Sequence, residues 1–422
     1  MAATSTPNRW TVVLAGTGIN LALGVLYAWS IFKAAIQASI AKGGIGAFDW
    51  DVASLNDPYA LACLVFAFSM ILAGRVQDRF GPRVTALLGG LLVGAGFVIV
   101  SQTSSYVLWL IGFGVLVGAG IGFGYSAATP PALKWFPPAK TGLIAGIVVS
   151  GFGLASVYIA PLSSWMLGAY GIHSSMLFLG IGFAVVVSLL STRLINPPKP
   201  AGATSPAAQA AAPADTSVGP ATIVRTGRFW LLWVIYFVGA GAGLMVIGSV
   251  AGMAKASLGE LAFVAVAIMA VGNAAGRVIA GMVSDKLGRN RTLAVMLTAQ
   301  AVLMFAAIPV VAHGGPVSLV LLATFIGFNY GTNLALFPAI SKDAWGLKTF
   351  GANYGVLFTA WGVGGFVLGR LSEMIKAQTG SFTVSFALAG ALLAAAAGLT
   401  LVLGSLGAPA RSEAGARALG GR

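Results

Sequence analysis

The chain has 422 residues; 58% are hydrophobic and only 8% charged, with 24 Lys and Arg against 10 Asp and Glu for a formal net charge of +14. A soluble domain carries about 25% charged residues, so this chain lacks the polar surface to fold in water at such a length. That excludes soluble enzymes and disordered chains, and the basic excess comes without the polar stripes that nucleic-acid binding uses.

What remains is a polytopic membrane protein, in contact with a lipid bilayer and not with nucleic acid. Crossing a bilayer takes about 20 mostly apolar residues. Twelve such runs occur, at 10–32, 58–74, 84–100, 106–128, 142–165 and 174–194, then at 229–252, 261–281, 292–312, 317–339, 352–375 and 382–404. None alternates with period two, so they read as helices and not as barrel strands. The first is too long for a signal-peptide core and is read as span 1. The one cysteine, Cys63, stands in an apolar run, which leaves no intrachain disulfide and no cysteine metal cluster. Neither a metal nor a cofactor is expected.

Between spans 6 and 7 the composition changes. PPKPAGATSPAAQAAAPADTSVGP is rich in Pro and Ala and has no apolar period, as a flexible linker does. The expected organisation is a six-helix half at 8–195, a linker at 196–227, a second half at 228–404 and a tail at 405–422. The halves echo each other. GRVQDRFGPR follows span 2 and GMVSDKLGRNR follows span 8; Arg9-Trp10 opens span 1 and Arg228-Phe229-Trp230 opens span 7; Trp135-Phe136-Pro137 follows span 4 and Leu336-Phe337-Pro338 ends span 10. Three echoes in order indicate a duplicated unit. In the paired segments Gly74 and Gly281 allow close helix approach, Asp78 and Asp285 stand at helix ends, and Arg79 and Lys286 begin basic clusters. The two acids are expected to hold neighbouring helix ends through ion pairs that break as the halves rock.

Eighteen of the 24 basic residues fall in the termini, the linker and the loops after even-numbered spans. By the positive-inside rule both termini are cytoplasmic, which places the chain in the inner (plasma) membrane with many passes. One basic residue belongs to neither face. Arg277 lies inside span 8, about 12 Å along the helix from Asp285. A charge there costs about 2.5–3.5 kcal/mol on insertion scales, so it is expected to face a wet cavity and a partner. No Asp or Glu falls inside a span except Glu373, near the outer end of span 11, and the corresponding first-half position is Met70. The missing partner is therefore expected to be an anionic substrate, gripped by two parallel hydrogen bonds. Asn273 is four residues back on the same face. Asn329 and Tyr330 in span 10, Phe358 and Trp361 in span 11 and Tyr125 in span 4 are the remaining candidates for a small apolar pocket. Span 1 adds Asn20, Tyr27 and Trp29. The Gly-rich run Gly114–Tyr125 is a packing surface and not a phosphate loop: no strand precedes it, and no GxxxxGK[ST] occurs.

Twelve spans, a central linker and the paired G-x-x-x-D-[RK]-x-G-x-[RK] segments resemble the major facilitator superfamily over residues 8–404. Tyr27-Ala28-Trp29-Ser30, Lys134-Trp135-Phe136-Pro137, the span 8 Arg and Asn353-Tyr354-Gly355 resemble its monocarboxylate transporters and their bacterial relatives, the oxalate/formate antiporters. The resemblance implies that Arg277 binds a substrate carboxylate. It also marks two departures. Where the antiporter has a span 11 Lys that suits a dianion, this chain has Trp361. Where animal monocarboxylate transporters have an acid before the Arg and a Lys in span 1, it has Asn273 and Ile31. The expectation is an all-α secondary active transporter of a small monocarboxylate such as lactate or pyruvate. It would be proton-coupled, work by alternating access as a monomer, and be no enzyme. The alternative is an organic anion antiporter of the oxalate/formate type. A drug or sugar porter would call for intramembrane acids that this chain lacks.

Overall fold

The computed structural model describes residues 8–44, 46–51, 54–197, 218–346 and 349–405, and every regular element among them is a helix. The long helices are α1 (Arg9–Lys42), α2 (Asp57–Phe80), α3 (Pro82–Val100) and α4 (Tyr106–Lys134), then α5 and α6 together in the stretch Thr141–Ser191. After the linker come α7 (Gly227–Ile247), α8 (Ala262–Leu287), α9 (Arg289–His313), α10 (Pro316–Trp345), α11 (Phe350–Thr379) and α12 (Thr383–Ser405). The chain turns from α5 into α6 at Gly171, whose φ of 73° is left-handed. These are the twelve expected spans. Most of the linker and the tail, with Lys199, Lys348, Arg411, Arg417 and Arg422, lie outside the described residues.

The helices run longer than their apolar cores. Gly74 to Phe80 and Gly281 to Leu287, which read as loops, are the last turns of α2 and α8. Only Gly81 and Gly288 make the turns, with φ of 85° and 88°. Hydropathy ends at the first charges, whereas a helix continues until a residue that tolerates positive φ stops it.

Packing repeats between the halves. The α1–α5, α2–α4 and α3–α6 contacts match α7–α11, α8–α10 and α9–α12. The outer faces are apolar, with residues such as Leu14, Val302 and Leu401 well exposed, as a lipid-facing belt requires. Two pairs make most of the contact between the halves, α5 with α8 and α2 with α11. Both are close-packed at the end bearing the paired motifs, here the motif end. A Cβ on Gly74 would lie 2.5 Å from the Gly351 carbonyl carbon, and one on Gly142 would lie 2.5 Å from the Gly281 oxygen. At the opposite end the halves part around cavities of about 430 and 480 Å³.

Candidate functional site

Arg277 is at the centre of this packing, and glycines determine its surroundings. α8 is wedged between α5 and α10. Its Gly276 meets the Phe328 carbonyl, and Gly146 of α5 meets the carbonyl of Arg277 itself; a Cβ at either would overlap that carbonyl. The guanidinium has no water-facing cavity of the kind expected from the sequence: Arg277 is 0% exposed. Aromatic side chains enclose it, and the glycine contacts draw three helix backbones against it.

The guanidinium is held by neutral acceptors. Nε donates to Asn273 Oδ1 at 2.9 Å, one Nη to the Val149 carbonyl of α5, and the other to Tyr27 Oη of α1 at 3.1 Å. The Phe152 ring is 6.0 Å from Cζ. Among the described residues no carboxylate comes within ion-pair distance of Arg277. Tyr27 then contacts Tyr330 of α10, Oη to Oη 2.6 Å, and Trp361 of α11 donates its indole N–H to Tyr330 Oη at 2.8 Å. This chain of hydrogen bonds crosses from one half to the other.

Donor arithmetic shows what is left over. A guanidinium has five N–H groups and a phenol one. Three of the five are used here. Tyr27 Oη accepts from the guanidinium, Tyr330 Oη accepts from the indole, and a single hydrogen joins the two oxygens. Two guanidinium N–H groups and one phenol O–H are therefore left with no acceptor in these contacts, gathered about one buried positive charge. A buried cation without a counter-ion is costly, and what completes such a set is an anion with two or three acceptor oxygens.

Phe358 stacks on Trp361 with centroids 4.9 Å apart, and Phe66 of α2 meets both rings at 5.1 and 5.0 Å. Tyr125 stands edge-on to Phe66 and Phe152 and tilted against Phe358, with its hydroxyl unpartnered among the described residues. Arg277, Asn273, Tyr330, Phe358, Trp361 and Tyr125 thus converge. Asn329 does not: its amide donates to its own helix at Phe325, and among the described residues no hydrogen bond joins it to the cluster. Asn333, one turn on, faces Gly239 of α7. A shared helical face does not say which neighbour that face meets.

Tyr27, in direct contact with Arg277, and Phe66 are the residues that sequence reasoning underweighted. Tyr27 lies in a 3-10 stretch, Gly24–Ala28, that interrupts α1 where Gly24 presses on Ala155 and the Phe152 backbone. The tighter winding changes the direction of every following side chain. The visible cue was Gly24 three residues before an intramembrane Tyr.

At the motif end Asp285 accepts the backbone N–H of Gly142 and Leu143 at 3.1 Å each, on the N-terminal turn of α5, and pairs with Arg289 at 2.7 Å. Ion pairing with a neighbouring helix was the expectation; Asp285 instead caps the other half's helix dipole, and its ion pair is with the next helix of its own half. Arg289 also reaches Asp343 at 2.9 Å. Asp78 is at the matching place: a Cβ on Gly351, at the start of α11, would lie 3.6 Å from its Oδ1. Gly74 and Gly281 make the close approaches described above. Arg79 and Lys286 are exposed, Arg79 lying 5.2 Å from the Phe80 ring.

The Major Facilitator Superfamily profile matches residues 11–369, and the chain belongs to that superfamily; it is a multi-pass membrane transporter. It is 29% identical to the oxalate:formate antiporter of Oxalobacter formigenes over 96% of this chain and 94% of that one. It is 25% identical to monocarboxylate transporter 13 of Bos taurus over 93% and 89%. Its fold matches the fucose:proton symporter of E. coli with a TM-score of 0.61 at 14% identity, covering 92% of this chain and 98% of that one.

Proposed function

We propose that the chain is a secondary active transporter of a small monocarboxylate, lactate- or pyruvate-like, moved with a proton by alternating access. The observation that carries this reading is the buried Arg277, held by neutral acceptors and left with two unused N–H groups. A carboxylate supplies both the missing charge and the two acceptors. The relatives named for monocarboxylate and for oxalate and formate support the same substrate class. Asn273 orients the guanidinium, Tyr27 and Tyr330 offer the spare hydroxyl, and Phe66, Tyr125, Phe358 and Trp361 enclose a short apolar chain. With an indole at 361 the site has one cation, which suits one carboxylate and not two. The antiporter relative supports organic anion exchange as the second reading, and Trp361 weighs against it.

In this reading the motif end faces the cytoplasm, following the basic residues, and residues 8–195 and 228–404 form the two rocking units, working as a monomer in the inner membrane. Asp285, and Asp78 in the matching place, latch the cytoplasmic side by capping helices of the opposite half. Among the described residues no Asp, Glu or His touches Arg277, so the proton travels with the substrate carboxyl or through the phenols.

The test is uptake of labelled lactate into proteoliposomes with and without an inward proton gradient, and with excess oxalate. Gradient-stimulated, oxalate-resistant uptake is expected. Gradient-independent uptake removes the symport, and strong oxalate competition restores the exchanger.

A further inference from the structure

A further cavity lies at the motif end, away from the Arg277 cluster and wholly within the second half. It has a volume of about 380 Å³ and opens where the start of α7, the end of α8, the start of α9 and the end of α10 meet. Arg228, Arg289 and Arg291 line this groove against a single acid, Asp343. Arg289 is committed: it pairs with Asp285 at 2.7 Å and with Asp343 at 2.9 Å. Arg291 forms no ion pair among the described residues. Even with Asp285 counted, the guanidinium groups outnumber the carboxylates. The first turn of α9 also lines the groove and carries neither an acid nor a side-chain cap, so the positive end of its dipole adds to the excess.

The duplicated unit does not explain this charge. Counted from Asp78 and Asp285, the first half has Pro82 in place of Arg289 and Val84 in place of Arg291. Arg9, which opens span 1 as Arg228 opens span 7, lies 5.1 Å from the Phe136 ring. The lipid side of the groove points to its occupant. Leu287, on the lining, is well exposed. From Arg291 an exposed apolar stripe runs along α9 through Val295, Val302 and Phe305, at i+4, i+11 and i+14. That is about 21 Å of helix, longer than the ~15 Å of hydrocarbon that one leaflet contributes. Trp230, exposed two residues after Arg228, puts the groove at the level of the lipid headgroups.

We propose that this groove binds an anionic phospholipid of the leaflet at the motif end, its phosphate taken by Arg291 and Arg228 and an acyl chain lying along the α9 stripe. A phosphate complements the net positive charge and accepts the guanidinium N–H groups, and basic pockets between spanning helices hold such headgroups. A soluble anion would use the charges and leave the stripe idle. Binding there needs no substrate at Arg277.

The test uses the full chain in dodecyl maltoside with two probes labelled on one acyl chain, phosphatidylglycerol and phosphatidylcholine, followed by fluorescence anisotropy. Each arginine is expected to contribute about fivefold in affinity, so wild type should bind phosphatidylglycerol about 25-fold more tightly than phosphatidylcholine. Arg228→Gln with Arg291→Gln should bring the two lipids to parity, whereas Arg228→Lys with Arg291→Lys should keep the preference. Arg83→Gln, in the first half, should leave it unchanged. If the double Gln protein does not fold, Arg291→Gln alone decides, with an expected loss of about fivefold. Equal binding of both lipids by wild type overturns the proposal, as does a preference that survives Arg291→Gln or falls equally with Arg83→Gln. Glycerophosphoglycerol, the headgroup without its chains, should displace the labelled lipid only at far higher concentration. Displacement at equal concentration would make the groove a soluble-anion site and overturn the lipid assignment.

Discussion

Replacing Arg277 by Lys separates charge from geometry. The charge stays, but the five-donor fork becomes a point with three donors. In the protein, Arg277 already spends three N–H groups on Asn273, Val149 and Tyr27, so a lysine that kept those contacts would have none left for a substrate. A carboxylate on the wild-type fork gains two charge-assisted bonds, each worth about 1.5–3 kcal/mol. Losing one raises the KM for lactate about tenfold, and losing both at the lower figure raises it about 150-fold. The assay is initial-rate uptake of labelled lactate into proteoliposomes at matched protein density, with size-exclusion chromatography to confirm a folded, monodisperse protein. Arg277→Ala is expected to abolish uptake. It also removes a buried, unneutralised charge, which offsets the loss of three hydrogen bonds and keeps the protein foldable. An Arg277→Lys protein with a lactate KM within threefold of wild type would refute the reasoning, because the unused N–H groups would then not be the binding element.

Two further outcomes follow from the neighbouring contacts. Tyr27→Phe removes the acceptor for one Nη and cuts the link to Tyr330; uptake is expected to fall about tenfold, one charged hydrogen bond's worth, while folding is retained, and wild-type uptake would show the phenol to be incidental. Asp285→Asn removes the charge that caps α5, worth about 1.4 kcal/mol in a partly buried helix-end contact. In a Cys63→Ser, Ser341→Cys background, maleimide labelling of the buried position 341 should then rise about tenfold, and an unchanged rate would mean that Asp285 does not hold this end closed.

Most of the architecture was legible in the sequence, because a bilayer constrains composition so strongly. Twelve apolar runs become helices, since no other lipid-exposed segment satisfies its own backbone. The helices outrun the apolar runs that end at 74 and 281, because charges such as Asp78 and Asp285 continue a helix that stops only at Gly81 and Gly288. Arg277 was legible for the same energetic reason as the spans: a charge in hydrocarbon must have a purpose or a partner. Its contacts were less so. Tyr27 depends on a 3-10 turn that a glycine contact between α1 and α5 imposes, and Asn329 depends on which way α10 is rotated. Both are set by helix packing, to which a single-chain hydropathy pattern is blind.

In the proposed cycle the same helices carry the site and its gates, and this is what lets a small anion move large bodies. α8 holds Arg277 and, eight residues on, Asp285 at the latch. α11 holds Trp361 and, beyond it, Arg370 and Glu373 beside the cavities at the opposite end. A carboxylate bound to Arg277 of one half and to the Tyr27 hydroxyl of the other replaces a direct contact between the halves. It favours whichever arrangement brings those two groups to the right spacing. A ligand shifts such an equilibrium only by the difference in its affinity for the two arrangements, and carrying it from 1:99 to 99:1 takes about 5.5 kcal/mol. Two charged hydrogen bonds, made in one arrangement and lost in the other, amount to about 3–6 kcal/mol. That range reaches the requirement only if both N–H groups are engaged, so a lysine at 277, or an anion offering a single acceptor oxygen, should bind without driving the halves across.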